Sequence, residues 1–219
     1  MDTLPDQGIR HLPNVLSPQE CWDYSAALTP LAKAGDRQLL SIPAIARLAR
    51  SERLLNIVAQ HLLGKPRLVR AIYFDKNPAV NWLVPWHQDL TIAVKEKHEV
   101  PGYGPWSVKE SIPHVQPPIE VLESMVTLRI HLDDTDETNG ALRVLPGTHR
   151  WGRLDSAEIA AARKDVTEFL CKATQGDAYL MRPLLLHASS RSTSDRHRRV
   201  LHFEYAGREL PEGLAWQLE

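Results

Sequence analysis

The chain has 219 residues, of which 43% are hydrophobic and 24% are charged, and its formal net charge is −1. This length is typical of one globular domain that can bury a core without disulfides. The near balance of 26 basic and 27 acidic side chains gives no electrostatic reason to expect a nucleic-acid or membrane partner. We therefore expect a single domain over residues 1–219.

The cysteines and the N-terminus indicate the compartment. Cys21 and Cys171 lie far apart in sequence, so reduced thiols are more typical of this chain than a disulfide framework. Residues 1–6 lack the basic start and the apolar run of a signal peptide. No apolar stretch approaches the length that spans a membrane. The expectation is a soluble protein of a reducing compartment, most simply the cytoplasm.

The first part of the chain, residues 1–66, has the pattern of helices. Ser17-Pro18-Gln19-Glu20 is a capping box with proline at the first helical position, and it predicts a helix from Ser17 to about Leu28. A second helix is predicted from Ala44 to Leu63, because apolar residues recur there at helical spacing. The Gly-Lys-Pro sequence at 64–66 ends it.

From about residue 67 to 206 the pattern changes to strands. Apolar and polar residues alternate clearly over Met125–Leu132, and Asn139-Gly140 predicts a turn before the next strand. Other strands are predicted from Arg67 onward and over Ala141–Leu145, Ala178–Met181, Leu184–His187 and Arg198–Tyr205, with a short helix from Asp155 to about Arg163. Helices followed by many short strands indicate an α+β chain whose core is a double-sheet jelly roll of the cupin type.

Residues 91–120 interrupt the strands with a stretch rich in proline and glycine. Such insertions in compact domains are typically lids, binding loops or disordered segments. Tyr103 and Trp106 within it could cover a small ligand, or they could pack locally on a surface loop. Both interpretations stay open from the sequence, and we describe the insertion as lid-like.

Two His-x-Asp pairs are candidates for a metal site. In a strand, residues two apart share a face, so His87 and Asp89 can aim at one point, and His187 is the best placed third ligand. Two imidazoles and one carboxylate leave half of an octahedral ion open, as a non-haem Fe(II) site requires. The second pair, His131 and Asp133, lies beside the acidic run Asp134, Asp136 and Glu137. Spacing alone does not decide between the two pairs.

Three stretches resemble the phytanoyl-CoA dioxygenase family of Fe(II)- and 2-oxoglutarate-dependent oxygenases. They are Pro85-Trp86-His87-Gln88-Asp89-Leu90; Asn139-Gly140-Ala141-Leu142 with Leu145-Pro146-Gly147-Thr148-His149; and Gly176-Asp177 through His187-Ala188-Ser189 to Arg198. The resemblance runs from about Tyr73 to Tyr205. It implies a double-stranded β-helix core and a metal site made of His87, Asp89 and His187 rather than His131 and Asp133.

The resemblance also implies where the cosubstrate would bind. It places Arg198 at the distal carboxylate of 2-oxoglutarate, and a guanidinium can hold a carboxylate by two parallel charge-assisted bonds. Arg191, Arg196 and Arg199 are nearby alternatives. Ser189 matches a position near the cosubstrate, and Arg129 a position facing it; an ion pair with a nearby carboxylate is the alternative for Arg129.

The activity implied by the resemblance is oxidation of a C–H bond of a small molecule by Fe(II), 2-oxoglutarate and O2, with release of succinate and CO2. Three further interpretations stay open. A cupin-like barrel can be a metal-binding module without turnover, Zn(II) also accepts two histidines and one carboxylate, and the substrate could be a protein side chain. The sequence does not indicate an oligomeric state.

Overall fold

Short helices at the N-terminal end and a set of antiparallel strands make up the fold, which the computed structural model describes for residues 3–28, 36 and 39–218. The α-helices are α1 (Leu4–Gln7), α2 (Pro18–Leu28), α3 (Pro43–Ala49), α4 (Glu52–Ala59), α5 (Ile119–Glu123) and α6 (Ser156–Asp165). The strands are β1 (Ile9–Leu12), β2 (Arg67–Lys76), β3 (Val84–His87), β4 (Ile92–Ala93), β5 (Trp106–Lys109), β6 (Ile112–Val115), β7 (Met125–His131), β8 (Leu142–Val144), β9 (Phe169–Cys171), β10 (Ala178–Met181), β11 (His187–Ser189) and β12 (Arg198–Ala206).

Two facing sheets form the core. The larger has the strand order β1-β10-β7-β12-β2 and the smaller β3-β11-β8-β9, and every pairing is antiparallel. Side chains from both sheets, among them Leu142, Val144, Tyr179 and Met181, pack together in one buried cluster. The α+β prediction with a jelly-roll core is therefore confirmed.

The two faces of the larger sheet differ in chemistry because side chains alternate along each strand. Leu128 and Ile130 of β7, with Leu201 and Phe203 of β12, join the core cluster that also contains the residues of α2, α3 and α4. The helices thus cover the outer face, and burial of each such apolar side chain contributes about 1.5–3 kcal/mol. The intervening polar residues point toward the smaller sheet.

The helical prediction for residues 1–66 needs two corrections. Residues predicted as one helix over 44–63 form α3 and α4, because the Ser51 hydroxyl accepts a hydrogen bond from the Leu54 N–H and begins a new helix. In addition, β1 lies within the region and pairs with β10. The predictions for α2 and for α6 are confirmed, and Asp155 and Glu158 form the capping box at the start of α6.

One prediction in the β region is also wrong in detail. The strand expected over Leu184–His187 instead begins at His187, and Leu184, Leu185 and Leu186 precede it as buried non-strand residues. The turn predicted at Asn139-Gly140 is present, and it leads from β7 to β8, which belong to different sheets. Gly140 adopts φ +77°, and a Cβ there would lie 2.7 Å from the Ser190 carbonyl oxygen, so the position requires glycine.

The insertion over 91–120 contains ordered structure. Strands β4, β6 and β5 form a three-stranded sheet within it. Tyr103 and Trp106 pack in a cluster that includes the buried Trp216, which is the local packing that the sequence left as one alternative. The lid-like role of this segment stays a prediction.

Candidate metal and cosubstrate site

The three predicted metal ligands meet where β3 and β11 pair. His87 is the last residue of β3 and lies opposite His187, the first residue of β11. Asp89 follows β3 by two residues, and its backbone N–H donates to the Pro183 carbonyl. One potential ligand atom from each of the three side chains lies within 4.8 Å of the other two.

Backbone hydrogen bonds fix the tautomer of both histidines. His87 Nδ1 lies 2.8 Å from the Pro85 carbonyl oxygen, and His187 Nδ1 lies 2.8 Å from that of Leu185. A carbonyl oxygen only accepts, so each Nδ1 carries the proton and donates it. Each Nε2 therefore keeps its lone pair for a metal, the arrangement typical of histidine ligands.

The distances and charges of the cluster suit one divalent cation. The Asp89 carboxylate oxygens lie 3.9 Å from His87 Nε2 and 3.7 Å from His187 Nε2, and atoms bound to one ion at about 2.2 Å lie at most about 4.4 Å apart. Burial raises the pKa of the Asp89 carboxyl, but His187 and His87 lower it more, to about 2. Burial lowers the pKa of His187 to about 4, so its imidazole is neutral near pH 7.

Gln88, between the two ligands, points to the opposite side, as predicted. Its side-chain amide donates to the carbonyls of Gly152 and Leu184 and accepts from the Leu154 N–H. These three bonds attach the His-x-Asp segment to the chain before α6 and to the chain before β11. The segment is therefore held by protein contacts alone.

A cavity of about 170 Å³ lies between the sheets, with this cluster in its wall. Its lining consists of Arg70, Ile72, Phe74, Trp82, Val84, His87, Asp89, Arg129, Leu142, His187, Ser189, Arg198, His202 and Glu204. All six residues that the sequence predicted for the site are among them. Trp82 lines this cavity, whereas Tyr103 and Trp106 of the insertion do not.

Arg198 carries unsatisfied donors at this cavity. It begins β12 and is 3% exposed, yet its Nε and Nη1 atoms have no hydrogen-bond acceptor among the described residues. Burial and the charge of Arg129 lower the pKa of Arg198 to about 9, so it stays charged near neutral pH. A buried charge without a partner is costly, and this arrangement therefore suits an anionic ligand.

Ser189 belongs to a contact that the sequence did not predict. The fully buried Lys76 donates to Ser189 Oγ at 2.6 Å and to the Ser190 carbonyl, while Ser189 Oγ donates to the Gly140 carbonyl at 2.8 Å. Burial and the charge of Arg198, its cross-strand neighbour, lower the pKa of Lys76 to about 7. The single Ser189 O–H is thus already committed in this structure.

Arg129 belongs to a buried relay across three strands, which the sequence also did not predict. Its Nη1 lies 2.8 Å from His202 Nδ1, His202 Nε2 lies 3.2 Å from Glu204 Oε1, and Arg70 Nη1 lies 3.1 Å from that same oxygen. Of the carboxylates near Arg129, Glu204 is paired with Arg70, and the charge of Asp89 acts on Arg129. Burial lowers the pKa of Arg129 and of His202.

The residues that the sequence left as alternatives for the metal and cosubstrate sites have other partners. His131 Nδ1 lies 2.8 Å from Thr135 Oγ1, and Asp133 accepts from Arg199 Nε at 2.8 Å. Arg196 forms an ion pair with Asp136, and Arg191 donates to the Asn81 carbonyl. Among the residues that the structure describes, His87, Asp89 and His187 are the cluster able to hold a metal.

Comparison with known proteins identifies the class. The sequence profile of the phytanoyl-CoA dioxygenase (PhyH) family matches residues 4–200, so the chain belongs to this family. A Stutzerimonas stutzeri protein, described as a probable alpha-ketoglutarate-dependent hypophosphite dioxygenase, is 27% identical over 205 residues, which are 87% of this chain and 60% of that protein. The chain thus spans less than two thirds of that relative.

Two solved structures share the fold. The crystal structure of EctD from S. alaskensis with 2-oxoglutarate and 5-hydroxyectoine matches with a TM-score of 0.73 and 18% identity, over 94% of this chain and 74% of that one. The crystal structure of HygX from Streptomyces hygroscopicus with nickel and 2-oxoglutarate bound matches with a TM-score of 0.67 and 18% identity, over 94% and 87%. In the described residues of this chain, no helix has both the length and the apolar character needed to cross a bilayer.

Proposed function

We propose that the chain is an Fe(II)- and 2-oxoglutarate-dependent dioxygenase that oxidises a C–H bond of a small molecule and converts 2-oxoglutarate to succinate and CO2. The observation that carries the proposal is the shared cavity: a two-histidine, one-carboxylate cluster and a buried guanidinium with unsatisfied donors both line it. Family membership and the 2-oxoglutarate present in the HygX and EctD structures support it.

The residues fit the groups that this function requires. His87, Asp89 and His187 would hold the iron through two neutral imidazoles and one ionised carboxylate. Arg198 would bind the distal carboxylate of 2-oxoglutarate through its guanidinium, in which Nε and Nη1 have no partner among the described residues. Iron with its cosubstrate supplies activation of O2, and the protein supplies orientation and shielding.

Ser189 and Arg129 complete the proposed cosubstrate site. Ser189 donates its only O–H to the Gly140 carbonyl, so it would contribute by holding the Lys76 side chain, which donates to Ser189 Oγ. Arg129 would line the path between the metal ligands and Arg198. We also propose that residues 1–219 form one oxygenase domain with a lid-like insertion, and that the protein is cytoplasmic, which agrees with the two buried, unpaired cysteines.

An anaerobic titration tests the proposal. Fe(II) and 2-oxoglutarate added together should give a weak visible charge-transfer band, and admission of O2 should then release succinate. Asp89→Asn should abolish both, whereas Asp133→Asn, outside the cavity, should abolish neither. A zinc enzyme or a binding module would give no band with the wild-type protein, and that result would end the proposal.

A further inference from the structure

The positive and negative charges of the residues that line the cavity are not equal in number. Three guanidiniums, those of Arg70, Arg129 and Arg198, line it together with two carboxylates, those of Asp89 and Glu204. The lining therefore carries at least one surplus positive charge before any ligand is considered, and Lys76, which contacts Ser189 beside it, adds no negative charge. Asp75 lies outside the lining and is hydrogen-bonded to His197, and its charge acts on Arg198 and not on Arg129.

Loading of the proposed site leaves this surplus unchanged. The two positive charges of Fe(II) and the two negative charges of 2-oxoglutarate cancel each other. Asp89 and a metal bound to it would meet the keto-acid end of the cosubstrate, and Arg198 would meet its distal end. Arg70 is paired with Glu204 at 3.1 Å. Asp89, whose charge acts on Arg129 in the ligand-free protein, would then be committed to the metal, and Arg129 would be the guanidinium of the lining without a counter-charge.

The partner of Arg129 supports this assignment. A guanidinium has no acceptor, so His202 Nδ1 must accept from Arg129 Nη1, and His202 Nε2 must carry the proton that it donates to Glu204. His202 is therefore neutral in this arrangement and cannot offset the charge of Arg129. Arg129 Nε is buried and has no acceptor among the described residues. In the loaded site, the positive charge of Arg129 and its Nε–H donor would therefore both be available to a ligand.

The size of the cavity limits that ligand. Its volume of about 170 Å³ is below the roughly 300–1,000 Å³ typical of sites for drug-sized molecules, and the cosubstrate must share it. The group that joins 2-oxoglutarate beside Arg129 is correspondingly small.

We propose that the primary substrate carries one small anionic group, a carboxylate or a comparable oxyanion, whose charge is received by Arg129. This inference rests on the proposed function and specifies its substrate class. His202 and Glu204 are positioning residues, since they act by fixing the orientation of the Arg129 guanidinium.

Acetate and acetamide provide the test, because they have nearly the same shape and differ in charge. Each is titrated calorimetrically into the anaerobic Fe(II)–2-oxoglutarate complex, in which no turnover occurs. Acetate should bind at least about tenfold more tightly than acetamide, as expected for one charge-assisted bond in a buried site. Arg129→Gln should remove the preference, with both proteins compared at 2-oxoglutarate concentrations that saturate them.

Two further variants keep the test informative if Arg129→Gln does not fold. Glu204→Gln removes a negative charge but keeps an acceptor in place, so it should strengthen acetate binding. Arg199→Gln, on the outward face of β12, should change nothing. Equal binding of the two probes, or an Arg129→Gln protein that keeps the preference, would overturn the inference alone. Absence of the charge-transfer band in the wild-type protein would overturn the proposed function together with it.

Discussion

Replacement of Arg198 by methionine tests the cosubstrate site most directly. Methionine keeps much of the length of the side chain and removes the charge and both unsatisfied donors, Nε and Nη1. Hydrogen bonds to charged groups contribute about 1.5–3 kcal/mol each. Loss of the pair should therefore cost at least about 3 kcal/mol of 2-oxoglutarate binding, which raises the dissociation constant roughly 100-fold.

The assay is a titration of 2-oxoglutarate into the anaerobic Fe(II) protein, followed by its visible absorbance. Arg198→Lys keeps the charge but loses the two-pronged geometry, so we expect an intermediate loss of about tenfold. Arg196→Met is the matched control, because Arg196 is nearby in sequence, exposed and paired with Asp136. The 2-oxoglutarate concentration that half-saturates this variant should equal that of the wild type.

The stability of the ligand-free protein provides a second readout. Arg198 is buried without a hydrogen-bond partner for two of its donors, so its removal relieves an uncompensated charge. Thermal unfolding of Arg198→Met should occur at the wild-type temperature or above. If the variant folds, binds Fe(II) and saturates at the wild-type concentration of 2-oxoglutarate, the assignment of Arg198 is wrong.

Three further predictions concern other parts of the molecule. His187→Ala should lose Fe(II) binding and succinate formation, whereas His131→Gln should keep Fe(II) binding, as measured by metal analysis after gel filtration. Because the pKa of Lys76 is lowered from about 10.5 to about 7 on folding, its proton is bound more tightly by the unfolded chain, and its contribution to stability rises between those pH values. Lys76→Met should therefore lack that part of the rise in urea-denaturation measurements at about pH 7 and about pH 9.5. Asp155→Ala should cost about 1 kcal/mol of unfolding free energy in the same assay, because α6 loses its capping box.

The sequence predicted the β architecture and the residues that share the cavity for a simple physical reason. Alternation places every second residue of a strand on one face, and it grouped Arg198 with His202 and separated both from Leu201 and Phe203. Which face was internal could not be decided, because both faces of β12 are buried, one under the helices and one against the cavity. Resemblance chose Arg198, and the structure shows its side chain in the cavity wall.

The unpredicted features depend on contacts between distant parts of the chain. Arg70 and Lys76 flank apolar residues of β2 and have the pattern of a solvent-facing strand end, yet both reach partners more than 100 residues away. The relay through His202 becomes visible only once β2, β12 and β7 are in register. Conversely, the break between α3 and α4 had a local signal, the Ser51 cap, which the longer apolar periodicity concealed.

The three hydrogen bonds of the Gln88 side chain have a consequence for how the proposed metal site would be loaded. An amide and three backbone groups fasten the arm that bears His87 and Asp89 to the scaffold, so we expect its shape to persist without the ion. Folding and metallation would then be separable events, and removal of the metal by a chelator should be reversed by added Fe(II) without unfolding of the chain.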